Sequence, residues 1–260
     1  RNDVKVTFSC TDNPGGSGCS TTKYCTDTSN TCTPDKNPPV TIFTEGITFV
    51  RYSSTDNAGN PEPIQSRLVN IDRTPPATSI VSVGGDTSPP YMDTSNDGRT
   101  DIVVSGEASM SCRWGTTDVI YSSMSSSNEC LISVSTATCS LGALSAGTYT
   151  RHVSCKDSVG NEQTTDSSQP TGNEDVTFDI CVRSNPTVTI TPASQNGEPG
   201  DTKTYTVSVT NNDQNCGTEG FDLTPTGCPT GWTCTLPSSL SVASGSSQTA
   251  TLSITSSPTA

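Results

Sequence analysis

The chain is short of the groups that catalysis uses most. It holds one histidine, His152, in 260 residues, which confines nucleophilic catalysis to arrangements around that residue or to lysine-dependent ones. No two cysteines form a Cys-x-x-Cys pair, so zinc-binding spacing is missing. Positive charge is scarce: 13 Lys and Arg against 26 Asp and Glu leave a net charge of −13 and a pI near 4.3. Such a surface repels phosphate backbones and anionic lipid, which argues against nucleic acid and against direct membrane contact. Cations are its natural counterparts. No run approaches the about 18 apolar residues of a membrane helix, and the start, RNDVKVTFSC, is no basic, apolar leader, so any secretion signal or anchor is expected outside this sequence. With 29% apolar and 5% aromatic residues, one large core is excluded. There is no Asn-x-Ser/Thr sequon, since Pro186 spoils Asn185 and only Asn-x-Cys remains at Asn30 and Asn128. Attached sugars are therefore expected on Ser and Thr.

What is abundant points to small β-modules. Ser and Thr make up about a third of the chain, beside 18 Pro and 21 Gly. Dividing the length by the roughly 100 residues of a typical sandwich gives two or three domains. The same composition suits a disordered Ser/Thr/Pro stalk, but alternating strands and cysteines recur throughout. Twelve cysteines among small β-modules read as disulfides, and so as an oxidising, extracellular setting.

One stretch occurs twice. Residues 49–60 read FVRYSSTDNAGN and residues 150–161 read TRHVSCKDSVGN; aligned on Asp56 and Asp157, they lie 101 residues apart. Each follows a glycine turn, at Gly46 or Gly147, and precedes a short strand ending in an acid, VNID to Asp72 or VTFD to Asp179. Strand, Asp-x-x-Gly-Asn bend and returning strand make a β-hairpin, and its recurrence marks tandem sandwiches. The first copy, with its exit NIDRTPP, resembles the immunoglobulin-like repeats of large prokaryotic surface proteins. The second, LSAGTYTRHVSCKD, resembles the strand-F region of fibronectin type III or immunoglobulin-like modules. The resemblance implies an all-β chain of three tandem immunoglobulin-like β-sandwich domains, stapled by disulfides, over residues 1–75, 76–180 and 181–260. It implies little about activity.

In the first module strands are expected at Val4–Cys10, Thr21–Cys25, Thr41–Phe43, Ile47–Ser53 and Ser66–Ile71. Cys10 with Cys19 and Cys25 with Cys32 are close enough to pair locally, each closure worth roughly 2.5 kcal/mol. Related repeats begin with a strand that is not visible here. Either the sequence starts within a module or a neighbouring chain supplies that strand, and an open edge is a route to strand donation. The second module is entered through Pro75-Pro76, which holds the linker extended. Its expected strands include Thr78–Val83, Asp101–Ser105, Ser109–Trp114, Asp118–Tyr121, Leu131–Val134, Thr148–Cys155 and Val176–Asp179. Alternation places Cys112 beside Cys155, and the loop cysteines Cys130 and Cys139 pair with each other. In the third, PGDTKTYTVSVTNND resembles the small β-sandwich associated with secreted α-galactosidases. Cys228 and Cys234 flank a tip, and by elimination Cys181 pairs with Cys216.

Candidate sites are few. Asp93, Ser95, Asp97 and Asp101, with Gly98 at position six, have the spacing of a loop that wraps oxygens round a hard cation, and resemble calcium loops of secreted repeats. Position twelve is Val104, so no glutamate closes the shell, and an Asp-Gly turn entering a strand explains the same residues. A second calcium site is expected between modules from Asp72, Asp157 and Asn161, in the manner of cadherin-like chains; the simpler reading makes each Asp-x-x-Gly-Asn bend a turn. His152 is expected as an exposed residue on a strand. Glu62 with Asp56 as a glycosidase dyad lacks aromatic walls. Trp114 and Trp232 would serve as a sugar platform if exposed, but each stands two residues from a cysteine, where burial against a disulfide is the ordinary fate.

These features imply a non-enzymatic structural or adhesive segment of a large extracellular cell-surface protein, with the repeating subunit of a surface filament as the finer form of that expectation. No cofactor is implied beyond calcium. The expected partners are copies of the chain, neighbouring modules of the same protein, or a cell-surface or glycan ligand. The competing readings are accessory modules of a secreted glycoside hydrolase and a glycan-binding module.

Overall fold

The computed structural model describes residues 3–258 and shows an all-β, disulfide-stabilised sandwich architecture. It divides into two compact units, residues 1–75 and 76–260.

The first unit contains β1 (Val4–Val6), β2 (Cys19–Asp27), β3 (Val40–Ile42), β4 (Gly46–Asp56) and β5 (Gln65–Ile71). Two sheets form, ordered β1-β3 and β2-β4-β5. Alternation sets which side chains meet: Val40 and Ile42 turn inward past exposed Thr41, and join Val50 and Ile71 in the core. Phe8 closes one side, its ring 5.8 Å from Tyr24 and 5.5 Å from Tyr52. So small a core leans on its disulfides, Cys10–Cys19 and Cys25–Cys32.

The second unit begins with β6 (Ser79–Val83), β7 (Tyr91–Asp93), β8 (Thr100–Ser105), β9 (Ser111–Gly115), β10 (Leu131–Ser133), β11 (Thr136–Gly142), β12 (Gly147–Lys156) and β13 (Glu174–Ile180). The facing sheets are β10-β11-β8-β6 and β7-β13-β12-β9, with β7 parallel to β13 and the other pairs antiparallel. Val83, Ile102, Val104, Val153, Val176 and Phe178 build the core between them. Cys112 and Cys155 are register partners on β9 and β12 with Cα atoms 4.1 Å apart, so their bond staples adjacent strands within one sheet. Cys130 and Cys139 are bonded to each other as expected and buried in this core; Cys130 lies in the loop before β10, whereas Cys139, expected in a loop, sits on β11.

The strand expected over residues 118–121 does not form. Tyr121–Ser123 and Ser126–Asn128 are 3-10 turns in a serine-rich segment, where Ser125 Oγ accepts the Ser127 N–H at 3.3 Å. Serine hydroxyls offer the backbone local partners that compete with a ladder. This segment is pinned by Tyr121, 4% exposed, whose hydroxyl donates to Glu129 Oε1 at 2.7 Å beneath the Arg113 guanidinium. Burial first, and then the hydrogen bond to Glu129, push the Tyr121 phenol up from 10.0 to about 12. The folded chain thus keeps a proton that the unfolded chain releases above the ordinary value. The stabilisation is complete below about pH 10 and is lost as pH rises towards about 12. Urea denaturation at about pH 9 and about pH 11 should show a steeper loss for the native chain than for Tyr121→Phe.

The rest of the second unit carries β14 (Thr187–Thr191), β15 (Thr202–Thr210), β16 (Thr218–Asp222), β17 (Thr233–Thr235), β18 (Ser239–Ala243) and β19 (Ser247–Thr255), in sheets β14-β15-β19-β17 and β16-β18. Val207, Val209 and Val242 form its own apolar cluster. It nevertheless shares one compact unit with residues 76–180. The Cys181–Cys216 bond and the Val182–Gln214 bridge, hydrogen-bonded in both directions at 3.0 and 2.9 Å, tie the two parts together.

Candidate functional site

The repeated bend supplies an internal ruler. In the first copy Asp56 N–H donates to Asn60 O and Gly59 N–H to Asp56 O, both at 3.1 Å; in the second, Asp157, Asn161 and Gly160 make the same two bonds at the same distances. Both glycines sit at positive φ, 90° for Gly59 and 84° for Gly160, a region that disfavours a Cβ. The Asn60 side chain and backbone hold the Asp56 carboxyl below its ordinary value. Beyond the bends the match continues at the same 101-residue offset: Glu62 N–H donates to Ser54 O at 2.9 Å, and Gln163 N–H to Cys155 O at 3.0 Å. Each side chain then folds back, with Glu62 Oε1 accepting Ser54 N–H at 2.8 Å and Gln163 Oε1 accepting Cys155 N–H at 2.7 Å.

Here the two copies part. Gln163 is fully buried, and its amide donates to Pro76 O at 3.0 Å, Thr78 Oγ1 at 2.9 Å and Gly172 O at 2.7 Å. It thereby fastens the segment that becomes β6, the strand lying along the edge of β8. Nothing among the described residues occupies the matching place in the first unit. Among the described residues, β1 and β5 are terminal strands of their sheets, with no strand on their outer edges. Exposed Glu62 instead lines an open slot of about 570 Å³ together with Val6, Phe8, Tyr52, Gln65 and Arg67. Its lining mixes apolar side chains such as Val6, Phe8 and Val50 with many polar ones, Arg67 included, draws on the edge strands β1 and β5, and carries one carboxylate, Glu62, where the second unit places an amide. Unpaired strand edges are in general the places where extended strands add.

Comparison with known proteins adds no family. No family model matches, and no curated protein matches. Among solved structures, similarity is found to a Corynebacterium diphtheriae protein described as membrane anchored, at 11% identity and a TM-score of 0.27, covering 100% of this chain and 79% of that one. Escherichia coli alpha-2-macroglobulin activated by porcine elastase gives 9%, 0.24, and coverage of 94% and 27%. The human desmocollin-1 ectodomain gives 10%, 0.20, and coverage of 89% and 66%. With TM-scores this low, none of the three bears on fold, function or partner.

The calcium candidates are held by protein donors. Asp93 is 3% exposed; its Oδ1 accepts Ser95 N–H at 3.0 Å and Ser95 Oγ–H at 2.7 Å, and its Oδ2 accepts Thr100 Oγ1–H at 2.7 Å. Asp97 Oδ1 accepts the Arg99 N–H at 2.9 Å, and Asp101 is gripped by the Arg99 guanidinium at 3.1 and 2.7 Å. A guanidinium thus stands against the carboxylate at position nine, and the loop is a hydrogen-bonded turn rather than a gathered shell. Asp157 gives its two oxygens to the Asn161 N–H at 2.7 Å and the Asn161 Nδ2 at 2.5 Å, while Asp72 Oδ1 accepts Thr74 N–H at 3.1 Å.

The aromatic candidates do not form a platform. Trp114 packs, partly buried, against the core that contains Cys112 and Cys155, and Trp232 is 38% exposed. A groove of about 390 Å³ beside Val188, Ile190, Leu236 and Ile254 is lined mainly by aliphatic side chains and the Cys228–Cys234 bond, with Asp222, Thr224 and Thr226 as its polar members and no aromatic ring. His152, expected exposed, is covered instead: its side chain is 15% exposed and its Nδ1 lies 2.6 Å from Asp175 Oδ1. The cause lies in the segment after β9, which brings Asp118 against it.

Proposed function

We propose that this chain is a non-enzymatic structural and adhesive segment of a large extracellular cell-surface protein, and that the edges of its first unit take up an extended strand from a neighbouring module or another copy, so that units add into a filament. The open slot beside Glu62, to which the edge strands β1 and β5 both contribute residues, supports this reading; in the second unit the matching position holds the segment leading into β6. Backbone bonds along the β1 and β5 edges would supply affinity, and side chains entering between Val6, Phe8 and Tyr52 would supply register. Six disulfides support an oxidising location. The partners are then copies of the chain or neighbouring modules of the same surface protein.

Light scattering over a concentration series, with electron microscopy of the same samples, tests the reading. Concentration-dependent oligomers or fibres are expected, and Val6→Lys, which places a charge in the slot, should suppress them while circular dichroism confirms the fold. Monomers at every concentration would refute self-assembly.

A further inference from the structure

The lone histidine is part of a cluster. His152 on β12 and Asp175 on β13 are register partners, with Nδ1 and Oδ1 2.6 Å apart. Asp118 closes the third side. One ligand atom from each of Asp118, His152 and Asp175 lies within 4.8 Å of the other two, and no other trio of His, Cys, Asp or Glu among the described residues meets that condition. The imidazole is mostly covered while the Asp175 side chain is 36% exposed, so the cluster is held in place yet reachable from solvent.

A second observation is independent of the trio. Asn173, 2% exposed, donates its Nδ2 to Asp118 Oδ1 at 2.6 Å, but the Oδ1 of the same carboxamide is buried without a hydrogen-bond partner. A buried carbonyl oxygen with no donor is unfavourable, and Asn173 holds the Asp118 carboxylate in place in spite of it. On the opposite side Ser167 Oγ donates to Asp175 Oδ2 at 2.9 Å and orients that carboxylate. Outer hydrogen bonds of this kind are what fix metal ligands.

We propose that Asp118, His152 and Asp175 bind one divalent transition-metal cation of the zinc type. An imidazole with two carboxylates is the donor set of a borderline cation; calcium would ask for about six to eight oxygens, more than these residues offer. The two carboxylates balance the double charge. Every cysteine is held in a disulfide, so no thiolate competes. The site is structural: it ties the segment after β9 to the middle of β12 and the start of β13, three points distant in sequence.

The test uses the full chain and zinc chloride. Calorimetry should give one equivalent bound, and because the chain has a single histidine, one imidazole spin system should shift in the nuclear magnetic resonance spectrum. His152→Ala and Asp118→Asn should each weaken binding by about tenfold or more, with melting temperatures measured without zinc showing that both variants fold. Calcium at the same concentration should leave the imidazole unshifted. An imidazole unmoved by excess zinc, variants that bind zinc like the native chain, or an equal response to calcium would overturn the proposal and leave His152 and Asp175 as a plain hydrogen-bonded pair.

Discussion

Replacing Cys112 and Cys155 together by alanine should lower stability by about 4 kcal/mol, the largest single loss expected from any disulfide of the chain. The figure follows from closure: the bond spans 43 residues, against nine for Cys10–Cys19, for which the same relation gives about 2.5 kcal/mol. Both sulfurs are fully buried, so alanine also removes atoms from the core that holds Val153 and Phe178. For a cooperative unit of this size the change should lower the melting temperature by about 8–16 °C. Paired urea titrations of the native and Cys112→Ala/Cys155→Ala chains measure it. A loss below about 1 kcal/mol would mean that the β9–β12 ladder holds the closure unaided and that the low apolar content is offset elsewhere.

The fold was readable where chemistry is local. Asp-x-x-Gly-Asn specifies its own bend, because Asp caps the following backbone and only glycine sits comfortably at the fourth position. Two copies 101 residues apart therefore gave the sandwich period directly. Short cysteine spacings, nine residues for Cys130–Cys139 and six for Cys228–Cys234, likewise left few partners in reach. What stayed hidden depends on distant pairing. Tyr91–Asp93 is too short to show alternation, yet it pairs in parallel with β13. Residues 118–121, Asp-Val-Ile-Tyr, are rich in strand-forming side chains, but the serines that follow draw the chain into 3-10 turns. That misreading also concealed the setting of His152, since Asp118 reaches it only because the segment folds back over β12. No spacing rule links residues 118, 152 and 175. In the Asp93 loop the ligand spacing was present, but Arg99, a residue such spacing does not weigh, takes the carboxylate of Asp101.

The deepest use of the repeat is the exchange of Gln163 for Glu62 at matching positions, and it yields the second large effect. Gln163→Leu would leave the Cys155 N–H, Pro76 O and Gly172 O without their side-chain partner in a fully buried site, for a loss of about 3–5 kcal/mol. Gln163→Glu is more diagnostic. Its carboxylate could still accept from Cys155 N–H, but a charged oxygen would face the Pro76 and Gly172 carbonyls. Burial and those carbonyls favour the protonated acid in the folded state, so its folded pKa is raised above that of the unfolded chain. The variant is then closest to native stability at low pH and falls away as pH rises through the carboxyl range, whereas Glu62→Gln in the open slot changes stability by less than about 0.5 kcal/mol. Denaturation of all three variants across that range reads the difference. If Gln163→Glu tracked the native chain at every pH, the amide would not be what seats the β6 segment, and the vacant slot beside Glu62 would lose its counterpart.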